Sequence, residues 1–334
     1  MHPKLFEIPF ANLTVWSYGL MMVFAFLAAV TVIRRLSRNI TPDPQLITNA
    51  SLYSLIAGVV GARLFYVIHY FDKFGDNLLS VFAIWEGGLE LLGGVILAVT
   101  VILLYLMYHK LPVRQYLDIL AVGLLLALAF GRIGCFLNGC CFGKPTDLPW
   151  AVRFPYGSPA YNSQVNANPT RNRPDPQVNL PGEFFALFNE NGVARRVLKQ
   201  YDGLTEAQKQ YLKANDRHRS LSVHPTQLYS AANGLFGSVL LFLFWRRYRG
   251  VPEPKKLLAK PGCSFALMFV YYGIARFCVE FLRDDNPFEY AWWVLYKGRT
   301  VSQNLGIYMI IFGIALMALF TTMKQQTNTR PRAN

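Results

Sequence analysis

Seven stretches of this 334-residue chain are apolar over close to the length that crosses a bilayer, which is about 20 residues of helix. They centre on 16–33, 46–68, 89–108, 117–137, 228–245, 265–282 and 303–323. The third is interrupted by the pairs Gly87-Gly88 and Gly93-Gly94, so a re-entrant loop is the alternative to regular helix there. The first run has no basic segment before it and no small-residue cleavage motif, and reads as a retained span. Between the fourth and fifth runs lies a long segment rich in Pro and Asn. In it Thr205-Glu206-Ala207-Gln208 has the form of a capping box opening a short polar helix, and NPTRNRPDP reads as loop. No internal repeat is detected. The pattern predicts an all-α, polytopic membrane protein with about seven transmembrane helices and a long outer loop. It is organised as 1–143 (spans one to four), 144–223 (the insert) and 224–334 (spans five to seven).

Composition agrees with this pattern. Hydrophobic residues make up 53% and charged residues only 16%, with a mean hydropathy of +0.26, whereas soluble domains are about 25% charged. The net charge of +14 raises the possibility of nucleic acid, but no nucleic-acid motif accompanies it. Short basic loops explain the excess instead. Arg34, Arg35 and Arg38 follow span one, Lys110 and Arg114 span three, and Arg246, Arg247, Arg249, Lys255, Lys256 and Lys260 span five; Lys324, Arg330 and Arg332 close the chain. With seven spans all four groups fall on one side, which is then cytoplasmic. That places the N-terminus and the insert outside and the C-terminus in the cytoplasm.

The charges inside the spans point to chemistry. In VYYGIARFCVEFLRDD, Arg276, Glu280 and Arg283 share one side of a helix, at offsets of four and seven residues. Arg63 and Tyr66 share a face in span two, and Arg132, Cys135 and Asn138 repeat that spacing in span four. Several unpaired guanidiniums at membrane depth would together cost on the order of 10 kcal/mol, so an anion is expected to meet them. Glu280 can neutralise Arg276 or Arg283, and the surplus suits a phosphate, which guanidinium grips bidentately. Snorkelling to lipid headgroups is the other reading. Gly87, Gly88, Gly93 and Gly94, preceded by Trp85 and Glu86, can bend amides towards an anion or simply pack helices. His224 in HPTQLY can act as acid or base, or help start span five beside Pro225. Cys135, Cys140 and Cys141 match no structural zinc spacing, and no metal is expected. Cys263 and Cys278 read as small apolar filler.

Taken together the motifs resemble the prolipoprotein diacylglyceryl transferase family. The matching pieces are Tyr18-Gly19, GARLFYV, WEGG with LLGG, GRIGCFLNG with Gly143 and Pro149-Trp150, HPTQLY, GIARFCVEFLR and SQNLGIYM, in order along most of the chain outside the insert. The resemblance implies a seven-span enzyme of the bacterial cytoplasmic (inner) membrane, which moves the diacylglyceryl group of phosphatidylglycerol onto the lipobox cysteine of prolipoproteins and releases glycerol phosphate. No cofactor is implied, and the partners are the lipid, the lipobox peptide and the bilayer. Mapped onto this chain, it assigns Arg132 and Arg276 to the headgroup phosphate and Glu280 to orienting an arginine, with Arg63 and Arg283 as further substrate contacts. Tyr18 and Asn138 hydrogen-bond the glycerol portion, and the glycine pairs and Gly143 admit the lipid.

The sequence also departs from that pattern. Leu92 stands where the family commonly has His or Tyr, and Cys135 and Cys140 stand where Asn and Glu are common. Glu86, Glu90 and His224 remain as substitutes for the base. Two further readings stay open: a diverged paralogue using another lipid or acceptor, and an anion or lipid carrier with an arginine-lined path.

Overall fold

The computed structural model describes residues 4–8, 13–41, 43, 45–74, 78–83, 88, 90–190, 193–248 and 260–323. Within them the chain runs through α1 (Ser17–Ser37), α2 (Gln45–His69), α3 (Leu91–Tyr108), α4 (Val113–Asn138), α5 (Pro159–Val165), α6 (Glu206–Ala214), α7 (Thr226–Tyr248), α8 (Cys263–Glu280) and α9 (Val301–Thr322). A helix satisfies its backbone hydrogen bonds internally, which is what lets an apolar segment live in hydrocarbon. Six of these helices, α1, α2, α4, α7, α8 and α9, are long and apolar enough to cross a bilayer. The 18-residue α3, about 27 Å long, is a shorter apolar companion. The all-α polytopic expectation therefore holds. Gly93 and Gly94 lie inside regular α3 helix rather than in a re-entrant loop. Trp85, Glu86 and Gly87 lie outside the described residues, as do Arg249, Lys255, Lys256 and the basic residues after 323.

The chain divides into two compact units. One comprises Ala29–Gly123, Phe242–Phe265 and Leu319–Asn334. Here α2 and α3 cross so closely that a Cβ on Gly61 would lie 2.5 Å from the Gly93 carbonyl oxygen, and one on Gly94 would lie 2.8 Å from that of Gly58. Small residues permit this approach, and it replaces the hydrophobic drive that helices lack in lipid. Arg63, buried on α2, donates from Nε to Val81 O (2.8 Å) and from its two terminal nitrogens to Gly88 O (3.1 Å) and Ser80 O (2.6 Å). Asp118, an acid hidden in α4, accepts from the backbone N–H groups of Gly262 (2.8 Å) and Phe265 (3.0 Å) and so caps the start of α8.

The other unit comprises Met1–Ala28, Leu124–Leu241 and Ala266–Ala318. In it α8 and α9 approach through Gly273 and Gly306; a Cβ on Gly273 would meet the Gly306 carbonyl at 2.7 Å. The insert folds on a core of its own built from Tyr156, Tyr161, Val165, Val178, Phe184, Phe185, Leu204 and Leu212. Among the described residues there are three antiparallel hairpins: β1 (Lys4–Ile8) with β2 (Leu13–Trp16), β3 (Phe185–Glu190) with β4 (Val193–Leu198), and β5 (Phe288–Glu289) with β6 (Arg299–Thr300). The expected capping box is present: Thr205 Oγ1 accepts from Gln208 N (3.2 Å), and Thr205 N donates to Gln208 Oε1 (3.0 Å). Burial pushes the Tyr156 phenol up to about 12, so it stays a donor, and it bonds Lys199 O at 3.2 Å.

The α2–α3 crossing gives a paired test on one helix. Gly61→Ala, whose Cβ would strike backbone at 2.5 Å, is expected to cost about 1–3 kcal/mol by overpacking. Gly58→Ala, with no neighbour nearer than 3.7 Å, should be neutral or stabilising. Thermal unfolding of the purified variants in detergent checks the contrast.

Candidate active site

Arg276, Glu280 and Arg283 meet as the helical offsets require. The Glu280 carboxylate is fully buried, with Oε2 3.1 Å from Arg276 NH1 and 3.7 Å from Arg283 Nε. Its other oxygen accepts from Asn286 Nδ2 at 2.6 Å. Arg276 also donates from NH2 to Ser302 Oγ (2.6 Å), at the start of α9. Arg283 forms a fork with Asp285, from Nε to Oδ1 at 2.8 Å and from NH2 to Oδ2 at 2.6 Å. Burial works against the Arg283 charge, but the hydrogen bonds and charge of Asp285 outweigh it and hold its pKa above the usual arginine value.

Arg132 comes from α4 and shares a cleft with Arg276. The cleft is lined by Leu128 and Arg132 of α4, Ser230 and Asn233 of α7, and Tyr271, Tyr272, Arg276 and Val279 of α8. Among the described residues Arg132 has no carboxylate within ion-pair distance; its NH1 contacts Cys141 Sγ at 3.5 Å. Arg132, Arg276 and Arg283 thus stand against Glu280 and Asp285, leaving one positive charge in excess. The cleft is narrow, with about 20 Å³ of open volume, and its two arginines are the donors it offers to a phosphate oxygen.

The loop after α4 is stitched to the start of α7. Gly143 is wedged between two strands of backbone: a Cβ there would lie 2.6 Å from His224 O and 2.9 Å from Leu282 O. Gly143 N donates to His224 O at 3.1 Å. Its role in the structure is thus close approach between segments. Thr226 Oγ1 and Gln227 Nε2 donate to the carbonyls of Cys141 and Cys140, both at 2.7 Å. His224 sits beside this seam with its N–H bonded to Lys144 O (3.0 Å) and its Nδ1 buried without a partner among the described residues. Asn138 is the last residue of α4. Tyr18, on α1, lies against the same helix, where a Cβ on Gly134 would touch its ring at 3.1 Å. Hydrogen bonds with the Cys135 and Cys140 thiols, assisted by the Arg283 and Arg132 charges, hold the Cys141 thiol below its usual value despite burial.

The insert reaches this cluster too. Arg173 NH1 pairs with Asp284 Oδ2 at 2.6 Å, Arg171 NH2 lies 3.5 Å from Asp284 Oδ1, and Arg171 also donates to the Arg283 carbonyl. Residues adjoining Arg283 are therefore held from both sides.

Other sequence candidates lie elsewhere. Arg63 belongs to the other unit, where its guanidinium donates to the carbonyl oxygens of Val81, Gly88 and Ser80. Gly93 and Gly94 serve the α2–α3 crossing, and Gly88, with a left-handed φ of 71°, sits where a Cβ would enter the Tyr66 ring. Glu86 and Gly87 lie outside the described residues. Glu90 faces His69, with Oε1 2.8 Å from Nδ1. Ser302, Asn286, Tyr272, Thr226 and Gln227 were not singled out as site residues from the sequence. Thr226 and Gln227 lie within HPTQLY and Ser302 within SQNLGIYM, and Tyr272 stands four residues before Arg276 on one helix face.

These features define a multi-pass helical membrane protein whose spans enclose an arginine cluster organised by one buried carboxylate. A family model described as "Prolipoprotein diacylglyceryl transferase" matches residues 3–319, and the chain belongs to that family. It is 30% identical over 307 residues to the phosphatidylglycerol–prolipoprotein diacylglyceryl transferase of Xanthomonas oryzae pv. oryzae (strain PXO99A), covering 90% of this chain and 86% of the relative. The protein of the same name from Burkholderia cenocepacia (strain HI2424) is 30% identical over 328 residues, with 95% of each covered. That of Clostridium tetani (strain Massachusetts / E88) is 28% identical, covering 97% of this chain and 100% of the relative.

Glu280→Ala would leave the Arg276 guanidinium without its carboxylate partner, while Arg283 keeps Asp285. A loss of about 3–5 kcal/mol in stability is expected from the stranded charge, read as a lowered unfolding midpoint in detergent, with Glu280→Asp intermediate.

Proposed function

We propose that this chain transfers the diacylglyceryl group of phosphatidylglycerol to the lipobox cysteine thiol of a prolipoprotein, with glycerol phosphate as the leaving group. One observation carries this reading: Arg132 and Arg276, from separate apolar helices, line one cleft with a positive charge to spare. A lipid phosphate supplies the missing anion, and the surrounding hydrocarbon accommodates its acyl chains.

The acceptor thiol must lose its proton to become nucleophilic. The thiolate sulfur attacks the glyceryl carbon that carries the phosphate ester, the carbon–oxygen bond breaks, and its electron pair leaves with the phosphate oxygen. Negative charge grows on that phosphate, where Arg132 and Arg276 stabilise it. Glu280, with Ser302 and Asn286, fixes the Arg276 guanidinium before substrate arrives, so little reorganisation is needed as the charge develops. Tyr18 and Asn138 are assigned to the glycerol hydroxyls, Gly143 to the close approach between the loop after α4 and the start of α7, and Arg283 to a supporting positive charge. His224 and Glu86 are the candidate proton acceptors; Leu92 cannot take that part. The protein works in the bacterial inner membrane with its N-terminus outside and its C-terminus in the cytoplasm.

The test is direct. Purified protein mixed with phosphatidylglycerol and a lipobox peptide should yield thioether-linked diacylglyceryl peptide, detected by mass. Arg132→Ala and Arg276→Ala should each lower the rate by about 10²- to 10³-fold, the size of one lost oxyanion donor, while the variants remain membrane-inserted. Turnover retained in either variant rejects the phosphate clamp.

A further inference from the structure

Three thiols meet beside Arg132. The sulfur atoms of Cys135, Cys140 and Cys141 all lie within 4.8 Å of one another, and all three are free cysteines. Their spacing is imposed by the backbone. Gly139 turns the chain at the end of α4 with φ of 77°, and Cys141 follows with φ of 58°, a left-handed conformation that costs a residue with a Cβ about 1–2 kcal/mol. The turn brings Cys140 N back onto Cys135 O at 3.1 Å. Thr226 and Gln227, each 1% exposed, clamp the carbonyls of Cys141 and Cys140. Strain and buried hydrogen bonds are thus used to hold three sulfurs together, and apolar filler requires neither.

This arrangement fits one face of a tetrahedral site. Zinc–sulfur bonds of about 2.3 Å set neighbouring sulfurs about 3.8 Å apart. Three protein ligands with an open fourth position are the form of a catalytic zinc site rather than a structural one. The neighbouring side chain also fits: the Arg132 guanidinium, 3.5 Å from Cys141 Sγ, supplies a hydrogen bond to a ligand sulfur.

We propose that Cys135, Cys140 and Cys141 bind a zinc-class divalent cation whose open position takes the sulfur of the acceptor cysteine. This rests on the transfer reaction proposed above. Coordination deprotonates a thiol outright, and the released proton passes to water. The metal-bound acceptor sulfur then forms the carbon–sulfur bond to the glyceryl carbon, and the carbon–oxygen electron pair departs with glycerol phosphate at Arg132 and Arg276. The neutral thioether product is a weak ligand and leaves the metal. Thiol activation would thus sit beside Arg132, with the metal taking the part given above to His224 or Glu86.

The test uses the full-length protein in detergent, titrated with zinc for stoichiometry and with cobalt alone as a spectroscopic probe. One equivalent should bind with a thiolate-to-cobalt charge-transfer band. A lipobox peptide added without lipid should raise that band by about a third, as a fourth thiolate joins three, and release a proton. Cys140→Ser and Cys141→Ser should weaken cobalt binding by on the order of 10²-fold, while Cys278→Ser, exposed and elsewhere on α8, leaves it unchanged. Cys140 is only half-buried, so its serine variant tests the ligand role without opening the buried Cys135 position. Failure to bind cobalt, a band indifferent to peptide, or full transfer by chelator-treated protein overturns the proposal and leaves the transferase reading standing. Metal and peptide thiolate bound without transfer from phosphatidylglycerol would instead uphold the metal site and reject that reading.

Discussion

The Glu280 carboxylate, with no exposed side-chain surface, is the element on which the rest of the site depends. A carboxylate stripped of water is costly, and here Arg276, Arg283 and Asn286 all converge on it. In lipid the constraint is sharper, because unpaired guanidinium groups have nowhere to hydrate. Glu280 fixes where two arginines stand, Ser302 sets the direction of one of them, and Asp285 holds the other. What the pairing leaves unbalanced is the positive charge shared by Arg276 and Arg132.

That imbalance links architecture to chemistry. A fully neutralised cluster would be a structural staple; one with a charge in excess is a binding site awaiting an anion. The close glycine contacts serve the same end from farther away. Where α8 meets α9 at Gly273 and Gly306, backbones approach within van der Waals reach, which keeps Ser302 near Arg276. The insert adds a lateral brace, because Arg171 and Arg173 hold Asp284 beside Arg283. The insert is thus tied to the arginine cluster by buried ion pairs.

The three cysteines show how a departure from a family pattern can be constructive. At positions where the resemblance expects Asn and Glu, this chain places sulfur, and the backbone turns to gather it. Leu92, by contrast, is simply incapable of proton transfer. Losing a base at one place and acquiring a thiol cluster at another is chemically coherent if the cluster takes over activation of the acceptor.

Sequence alone determined the apolar spans, the capping box at Thr205 and the shared face of Arg276, Glu280 and Arg283, because each follows from helical periodicity and local hydrogen bonding. Arg63 shows the limit of that reasoning: its position on α2 was legible, but its engagement with the carbonyls of Ser80, Val81 and Gly88 depends on where a later loop folds back. The same holds for Gly93 and Gly94, whose packing role needs the facing helix to be known. Asp118 was silent in the sequence because its partners, the amides of Gly262 and Phe265, are more than a hundred residues away. Only the tertiary structure decided that Arg132 and Arg276 line one cleft and that Thr226 and Gln227 clamp the cysteine turn. Those contacts join segments whose sequence separation carries no periodic signal, and they exist only once the helices have packed.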